Sequence, residues 1–256
     1  MLKEERFDQI YNILKERSSA TVHYLHKRLY VSEATVRRDL EDMEKEGLVE
    51  RVWGGAVLKT GEKDIPSFVR IKTNPEKKEQ IAAVASLLLK NSSSIFFDSS
   101  TSCLPLVPYL AQLKDITVIT SSLKMSYLLG ESSSATINLL GGKIYENYIL
   151  TGYAAVDSVR RYHVNQMFFS CSGMGRDGSM WSIEPRVVEV NREMMKQADQ
   201  KIMLCDSSKY GKKMLWHLAD LQDIDYVISD AVPEDPALAE ALGNKLITSA
   251  DQLSKR

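Results

Sequence analysis

The sequence predicts a two-part α/β chain: a small N-terminal three-helix unit with a β-wing, then a larger C-terminal domain built on a mostly parallel sheet. Two patterns carry this. Between Lys3 and Ala56, short amphipathic helical patterns follow one another across tight turns and end in a hairpin signal. From Glu76 onward, short continuous apolar runs alternate with longer helical patterns, as in a sheet covered by helices on both faces. Residues 1–58 are read as the first domain, 59–75 as a linker and 76–256 as the second domain. Gly61, Pro66 and Pro75 mark the linker.

In the first domain, Lys3 to Arg17 reads as a helix with Phe7, Ile10, Tyr11 and Leu14 on its apolar stripe. Ser18-Ser19-Ala20 breaks the pattern. Thr21 caps a second helix through about Leu29, with Val22, Leu25 and Leu29 inward. Ser32 caps a third, in which Val36, Leu40 and Met43 recur at i, i+4 and i+7. Thr35, Arg37 and Arg38 lie off that stripe and face outward. Gly47 is read as the helix end. Leu48 to Val52 is a short strand, Gly54-Gly55 a turn signal, and Ala56 to Leu58 the return strand. A helix with two adjacent arginines near its start, followed by a wing, suits a major groove and its flanking phosphates.

In the second domain, Lys77 to Lys90 reads as a helix. The apolar runs are Ile95–Phe97, Ile116–Ile119, Ile137–Leu140, Met167–Phe169, Ile202–Leu204, Tyr226–Ile228 and Leu246-Ile247. Polar loops follow several of them: Asp98-Ser99-Ser100-Thr101-Ser102, Thr120-Ser121-Ser122, Gly141-Gly142-Lys143 and Asp206-Ser207-Ser208-Lys209. Ligands of open α/β sheets bind beyond the carboxyl ends of the strands. Hydroxyls, a helix start and a lysine there suit a phosphate on a small polar ligand.

Ser32 to Leu40 (SEATVRRDL), Gly47-Leu48, Arg51 and Gly54-Gly55-Ala56 stand in the order and spacing of the DeoR family of bacterial repressors. The second domain resembles that family's sensing domain at Asp98-Ser99-x-Thr101, Leu140-Gly141-Gly142, Gly152, Gly173, Gly178, Glu189, Arg192 and Asp206-Ser207-Ser208-Lys209-x-Gly211. The resemblance implies a winged helix-turn-helix reading double-stranded operator DNA, with contacts from Thr21, Ser32, Glu33, Thr35, Arg37, Arg38 and Arg51. It implies a sensor similar in fold to sugar-phosphate isomerases, binding a phosphorylated sugar through Asp98, Ser99, Ser100, Thr101, Ser102, Gly141, Gly142 and Lys209. It also implies a homodimer or higher homo-oligomer. The chain departs from the family at Ser100 and Ser170, where glycine is usual, and at Ser102, where threonine is usual. It departs again at Asn165, usually aspartate, and at Asn191, usually lysine.

Composition bounds the function. With 256 residues, 44% hydrophobic and 26% charged, the chain is an ordinary globular protein with room for two domains. It has no apolar run of membrane-spanning length and no signal-peptide core, so a cytoplasmic protein is expected. Cys103, Cys171 and Cys205 are far apart and read as reduced thiols. The net charge is −1, and residues 1–60 hold as many acids as bases, so any positive surface is local. His23 and His26 stand at i, i+3, but the sequence offers no third ligand, and no metal site or cofactor is expected. Asp98, Asp177, Glu184 and Asp206 are candidate acid/base groups, but no enzyme's full constellation is legible. The expectation is a transcriptional repressor of sugar uptake or catabolism, not an enzyme. The alternative is a sugar-phosphate isomerase-like enzyme with a DNA-binding appendage.

Overall fold

Local sequence accounts for the helices of the N-terminal unit in the computed structural model, which describes residues 2–45, 48–58, 70–71, 73–145 and 148–253. Helix α1 is Lys3–Arg17, β1 Ser19–Thr21, α2 Val22–Leu29, α3 Glu33–Lys45, β2 Val49–Val52 and β3 Gly55–Leu58. Ser18 leaves α1 in the left-handed region, with φ 63°. Thr21 caps α2 by accepting the Tyr24 N–H at 3.1 Å, and the Ser32 hydroxyl accepts the Thr35 N–H at 3.2 Å. Phe7, Ile10, Leu14, Leu25, Leu29, Val36, Leu40 and Met43 close over one core with Leu48, Val49 and Ala56. Asp39 is buried on the same face of α3, where its carboxylate takes Nε of Arg6 at 2.6 Å and an Arg6 NH2 at 2.9 Å.

The wing differs from expectation in two respects. Ser19–Thr21 does not merely break the helical pattern; it forms a third strand, in the order β1-β3-β2. The turn is Trp53-Gly54, with Gly54 at φ 80°, and Gly55 already pairs with both Val52 and Thr21. A Cβ on Gly55 would lie 2.3 Å from the Ala20 carbonyl oxygen, so the close third strand requires glycine there. The expected helix end at Gly47 and most of the stretch 59–75 lie outside the described residues.

Contacts divide the chain into two compact units, Met1–Lys72 and Thr73–Arg256. The second opens with α4, Pro75–Ser86, which begins two residues earlier and ends four residues earlier than expected, with Asn74 before it at φ 52° and making no side-chain cap. Each of the seven apolar runs marks one strand of a seven-stranded sheet, with only Ile116 and Leu140 falling just outside: β4 Ser94–Phe97, β5 Thr117–Thr120, β6 Thr136–Leu139, β9 Val164–Phe169, β12 Ala198–Leu204, β14 Tyr226–Ile228 and β15 Leu246–Ile247. The order is β15-β14-β12-β9-β4-β5-β6, and every pairing is parallel. Alternate residues enter two cores. Phe96, Met167, Phe169 and Met203 face one with α7 (Tyr153–Val159), α8 (Pro185–Lys196) and α9 (Pro236–Leu242). Ile95, Phe97, Phe168, Ile202 and Leu204 face the other with α4, α5 (Val107–Leu110) and α6 (Leu123–Ser132). Phe97 and Phe168, paired in register, stack at 5.3 Å.

Two antiparallel elements were not legible in the sequence. They are the hairpin β7 (Lys143–Tyr145) with β8 (Ile149–Thr151), and a small sheet of β10 (Gly173–Met174), β11 (Met180–Ser182) and β13 (Trp216–Ala219). No helix among the described residues is long and apolar enough to cross a membrane.

Candidate functional site

In the N-terminal unit, α3 presents its arginines outward. Arg37 holds Glu33 at 2.7 Å, one turn back. Arg38 is exposed, with no hydrogen bond or ion pair among the described residues. Thr35 is half-buried and its hydroxyl meets that of Ser32 at 2.9 Å. Arg51 leaves β2 near Glu44, at 3.9 Å, and its own backbone N–H donates to that carboxylate. Thr21 and Ser32 spend their hydroxyls on capping. One residue the sequence reading passed over stands beside them: Trp53, fully exposed at the wing tip. Its signal was an aromatic placed inside a turn.

In the second unit the chain leaves β4 for β5 and β6 on one side, then returns to place β9 on the other. The switch point therefore lies between the carboxyl ends of β4 and β9, with β12 next to β9. Three loops meet there. Asp98, buried after β4, accepts from the Ser100 N–H at 2.9 Å, the Ser170 N–H at 3.1 Å, the Asn191 amide at 3.3 Å and the Cys103 thiol at 3.3 Å. Burial pushes its carboxyl above the ordinary value, against the pull of the bonds from Ser100, Ser170 and Cys103. Its role is to tie the β4, β9 and α8 segments together.

Lysines supply the charge. Lys209 reaches the Ser170 hydroxyl at 2.8 Å, the Ser102 hydroxyl at 3.2 Å and Asp206 at 3.5 Å. Lys78, 4% exposed, donates to Thr101 Oγ1 at 3.3 Å. Lys77 donates to Ser207 at 2.5 Å and pairs with Asp230 at 3.1 Å. Burial raises the Asp206 carboxyl, but Lys209, the Ser208 and Asn74 hydrogen bonds and Lys78 together hold it below its ordinary value. The site thus brings buried hydroxyls together with the buried Lys78 ammonium and the partly exposed Lys209 ammonium. It can accept an anion that displaces hydroxyls from the lysines.

The sequence reading missed Lys77 and Lys78. The signal was present for Lys78, because Ile81, Ala82 and Ala85 place it on the buried stripe at i+3, i+4 and i+7. The helix expected after the Asp98–Ser102 loop is short and begins as a 3₁₀ turn, so no long helix points its N-terminus at the loop. The chain makes turns, a 3₁₀ turn at Leu104–Leu106 and then one helical turn, and the Ser100 N–H is taken by Asp98. Charge at this loop comes from lysines, not from a helix terminus.

Ser99 is buried in the same loop, whereas Gly141 and Gly142 are not brought to the lysines by any contact among the described residues. They follow β6 at the sheet edge. A Cβ on Gly142 would meet the Thr151 carbonyl at 2.7 Å, so that glycine serves the close approach of β8.

The departures sort by position. Asn165 accepts from the Ser94 N–H and hydroxyl, both at 3.0 Å, near the starts of β9 and β4, away from the loops. Ser100 has no positive φ, and its hydroxyl donates to the Cys103 sulfur. Ser170 and Asn191 lie at the switch point itself. Ser170 donates to the Leu204 carbonyl at 2.6 Å, and Asn191 touches Asp98 while its own Oδ1 is buried without a partner.

The four acid/base candidates are engaged structurally. Asp177 pairs with Lys213 at 2.8 Å, which with Ser179 holds it well below its usual range. Glu184 caps α8 and pairs with Arg186. Asp98 and Asp206 are bonded as described. The three cysteines are buried and free. A wide hollow lined by Lys114, Asp115, Ser134 and Thr136 lies at the opposite, amino-terminal ends of β5 and β6.

Comparison with known proteins agrees with this division. Residues 6–62 match the DeoR-like helix-turn-helix domain, and residues 73–231 match the DeoR C terminal sensor domain. The HTH-type transcriptional regulator YulB of Bacillus subtilis (strain 168) is 35% identical over 259 residues, covering 100% of both chains. The HTH-type transcriptional repressor GlcR of the same organism is 33% identical over 235 residues, 91% of this chain and 90% of that protein. Ribose 5-phosphate isomerase A of Methanocaldococcus jannaschii aligns over 54% of this chain and 55% of its own, at 14% identity and a TM-score of 0.41, a likeness too slight to bear on chemistry. With family models matching both units and relatives aligned over nearly their full length, the chain belongs to the DeoR family of transcriptional regulators.

Proposed function

We propose that the protein represses genes of sugar uptake or catabolism by binding double-stranded operator DNA, and that a phosphorylated sugar at the switch point controls it. The observation that carries the effector class is the layer of Ser102, Thr101 and Ser170 hydroxyls held by Lys209 and Lys78. A dianionic phosphate gains from both ammonium groups; a free sugar gains from neither. In this reading Asp98 to Ser102 and Lys209 form the phosphate side, with Asp98 as scaffold. Gly141 and Gly142 shape the loop by the sheet edge. The relative GlcR, named a repressor, supports the direction of control. Two copies are proposed to act together, since paired half-sites call for two reading heads.

Arg38 is assigned the base contact, with Thr35 beside it; Thr21, Ser32 and Arg37 lie along the flanking backbone, and Glu33, whose carboxylate only accepts, contributes its backbone N–H at the helix N-terminus. In a gel-shift titration on the operator, Arg38→Ala should weaken binding by about 1–3 kcal/mol while circular dichroism stays unchanged. Equal affinity of the two proteins removes Arg38 from the interface. Arg51, on the wing beside Glu44, is assigned a phosphate. Arg51→Ala should weaken specific and nonspecific DNA about equally and lower the salt slope by roughly one unit. A change in preferred bases would instead make the wing a reader.

A further inference from the structure

We propose that His23, His26 and Glu33 form a binding site for a divalent transition-metal ion, of which zinc is the prototype, at the junction of α2 and α3. The sequence shows two histidines one helical turn apart and no third ligand. The fold supplies it: Glu33 opens α3 and comes back over α2. Ligand atoms of the three side chains all lie within 4.8 Å of one another. The two imidazoles are 5.4 Å apart, centroid to centroid, and His23 Nδ1 is 3.5 Å from Glu33 Oε1.

Hydrogen bonds already orient two of the three side chains. His26 Nδ1 lies 3.2 Å from the Val31 carbonyl oxygen, which only accepts, so Nδ1 carries the proton and Nε2 has the free lone pair. A backbone carbonyl fixing the tautomer of an imidazole is the usual support of a metal-bound histidine. The Glu33 carboxylate is divided in the same way. Oε2 is held by Arg37 at 2.7 Å, which leaves Oε1 turned to His23. Two imidazoles and one carboxylate are a known donor set for zinc, with the fourth position left to water. Ligand atoms on tetrahedral zinc stand about 3.3 Å apart, given bonds of about 2.0–2.1 Å. His23 is largely exposed, so rotation of its side chain closes the difference without moving either helix.

The site has a consequence for DNA, which rests on the reading of the N-terminal unit as the DNA-binding head. It lies at the start of α3, the end of a recognition helix that meets the bases. A bound divalent ion replaces the negative charge of Glu33 there and locks α2 to α3 across the turn. Operator affinity should rise several-fold with zinc.

The test uses the full-length chain. Zinc affinity and stoichiometry are measured by competition with a chromogenic chelator, for the wild type, His23→Ala, His26→Ala, the double variant and a control, His163→Ala, whose histidine pairs with Asp199 elsewhere. The expected result is one zinc per chain, weakened at least tenfold by either single variant and lost in the double, with the control unchanged. Cobalt in place of zinc should give a spectrum without thiolate charge-transfer bands, which separates this site from the three cysteines. Undiminished zinc affinity in the double variant, or thiolate bands, would overturn the site. Operator affinity unchanged by zinc, with stoichiometric metal bound, would overturn the coupling to DNA and leave the DNA-binding reading untouched.

Discussion

Replacing Asp39 by alanine should destabilise the N-terminal unit by about 3–5 kcal/mol. The carboxylate is 2% exposed and sits on the stripe formed by Val36, Leu40 and Met43, facing the Arg6 guanidinium with two hydrogen bonds. Truncation removes two short hydrogen bonds from a part-buried guanidinium. A loss of that size is comparable with the whole stability of a small unit, commonly about 5–15 kcal/mol for a domain. Urea denaturation followed by helix circular dichroism should show the first transition shifted to lower denaturant, and operator binding lost at the temperature where the wild type binds. Arg6→Ala should behave alike. A shift below about 1 kcal/mol would mean that solvent screens the pair as it screens surface salt bridges.

Lys209→Ala should abolish the response to phosphorylated sugars. The ammonium is 18% exposed and bonded to Ser170, Ser102 and Asp206, so it is poised beside the hydroxyls and largely shielded from water. Losing a desolvated cation opposite a phosphate costs about 2–5 kcal/mol of binding, or roughly 30- to 5,000-fold in affinity. The measurement is a thermal shift across a set of pentose and hexose phosphates, their free sugars and inorganic phosphate. The wild type should be stabilised by some of the phosphates and by none of the free sugars. The variant should show no shift and keep its operator affinity without ligand. If free sugars stabilise both proteins equally, the phosphate does not sit at Lys209 and the effector class is wrong.

Much of this architecture is legible in the residues because burial on both faces leaves a plain mark. Ile95–Phe97, Met167–Phe169 and Ile202–Leu204 are continuous apolar runs, and a strand with two buried faces has no other way to read. The short antiparallel pieces leave none. Gly173–Met174 and Ser19–Thr21 are too brief for an alternating pattern, and only tertiary pairing makes them strands. Ligand groups divide similarly. Lys209 stands in a loop with Asp206 to Ser208 and announces itself. Lys78 looks like any helical lysine until its stripe is counted against Ile81 and Ala85. The helix expected after the Asp98–Ser102 loop is present but is only a 3₁₀ turn and one helical turn, and the run of hydroxyls before it is equally at home in turns. Glu33 as a partner of His23 could not be seen, since the contact depends on the angle between two helices and not on spacing along either.

The carboxylate of Asp98 also sets an order of assembly. Its partners lie far along the chain: Ser170 is 72 residues on and Asn191 is 93. Until both have been synthesised and docked, this acid has no native company beyond its own loop. Contacts of such sequence separation form late, because the loop they close is long. The head, by contrast, draws its core from Phe7 to Ala56 among the described residues. During translation the helix-turn-helix unit therefore emerges first, while the floor of the switch point still waits for Ser170 behind β9 and Asn191 on α8. Other contacts of these loops span still more chain: Asn74 reaches Asp206 and Lys77 reaches Ser207, 132 and 130 residues on, so the switch point is whole only after β12 and the loop behind it have been made.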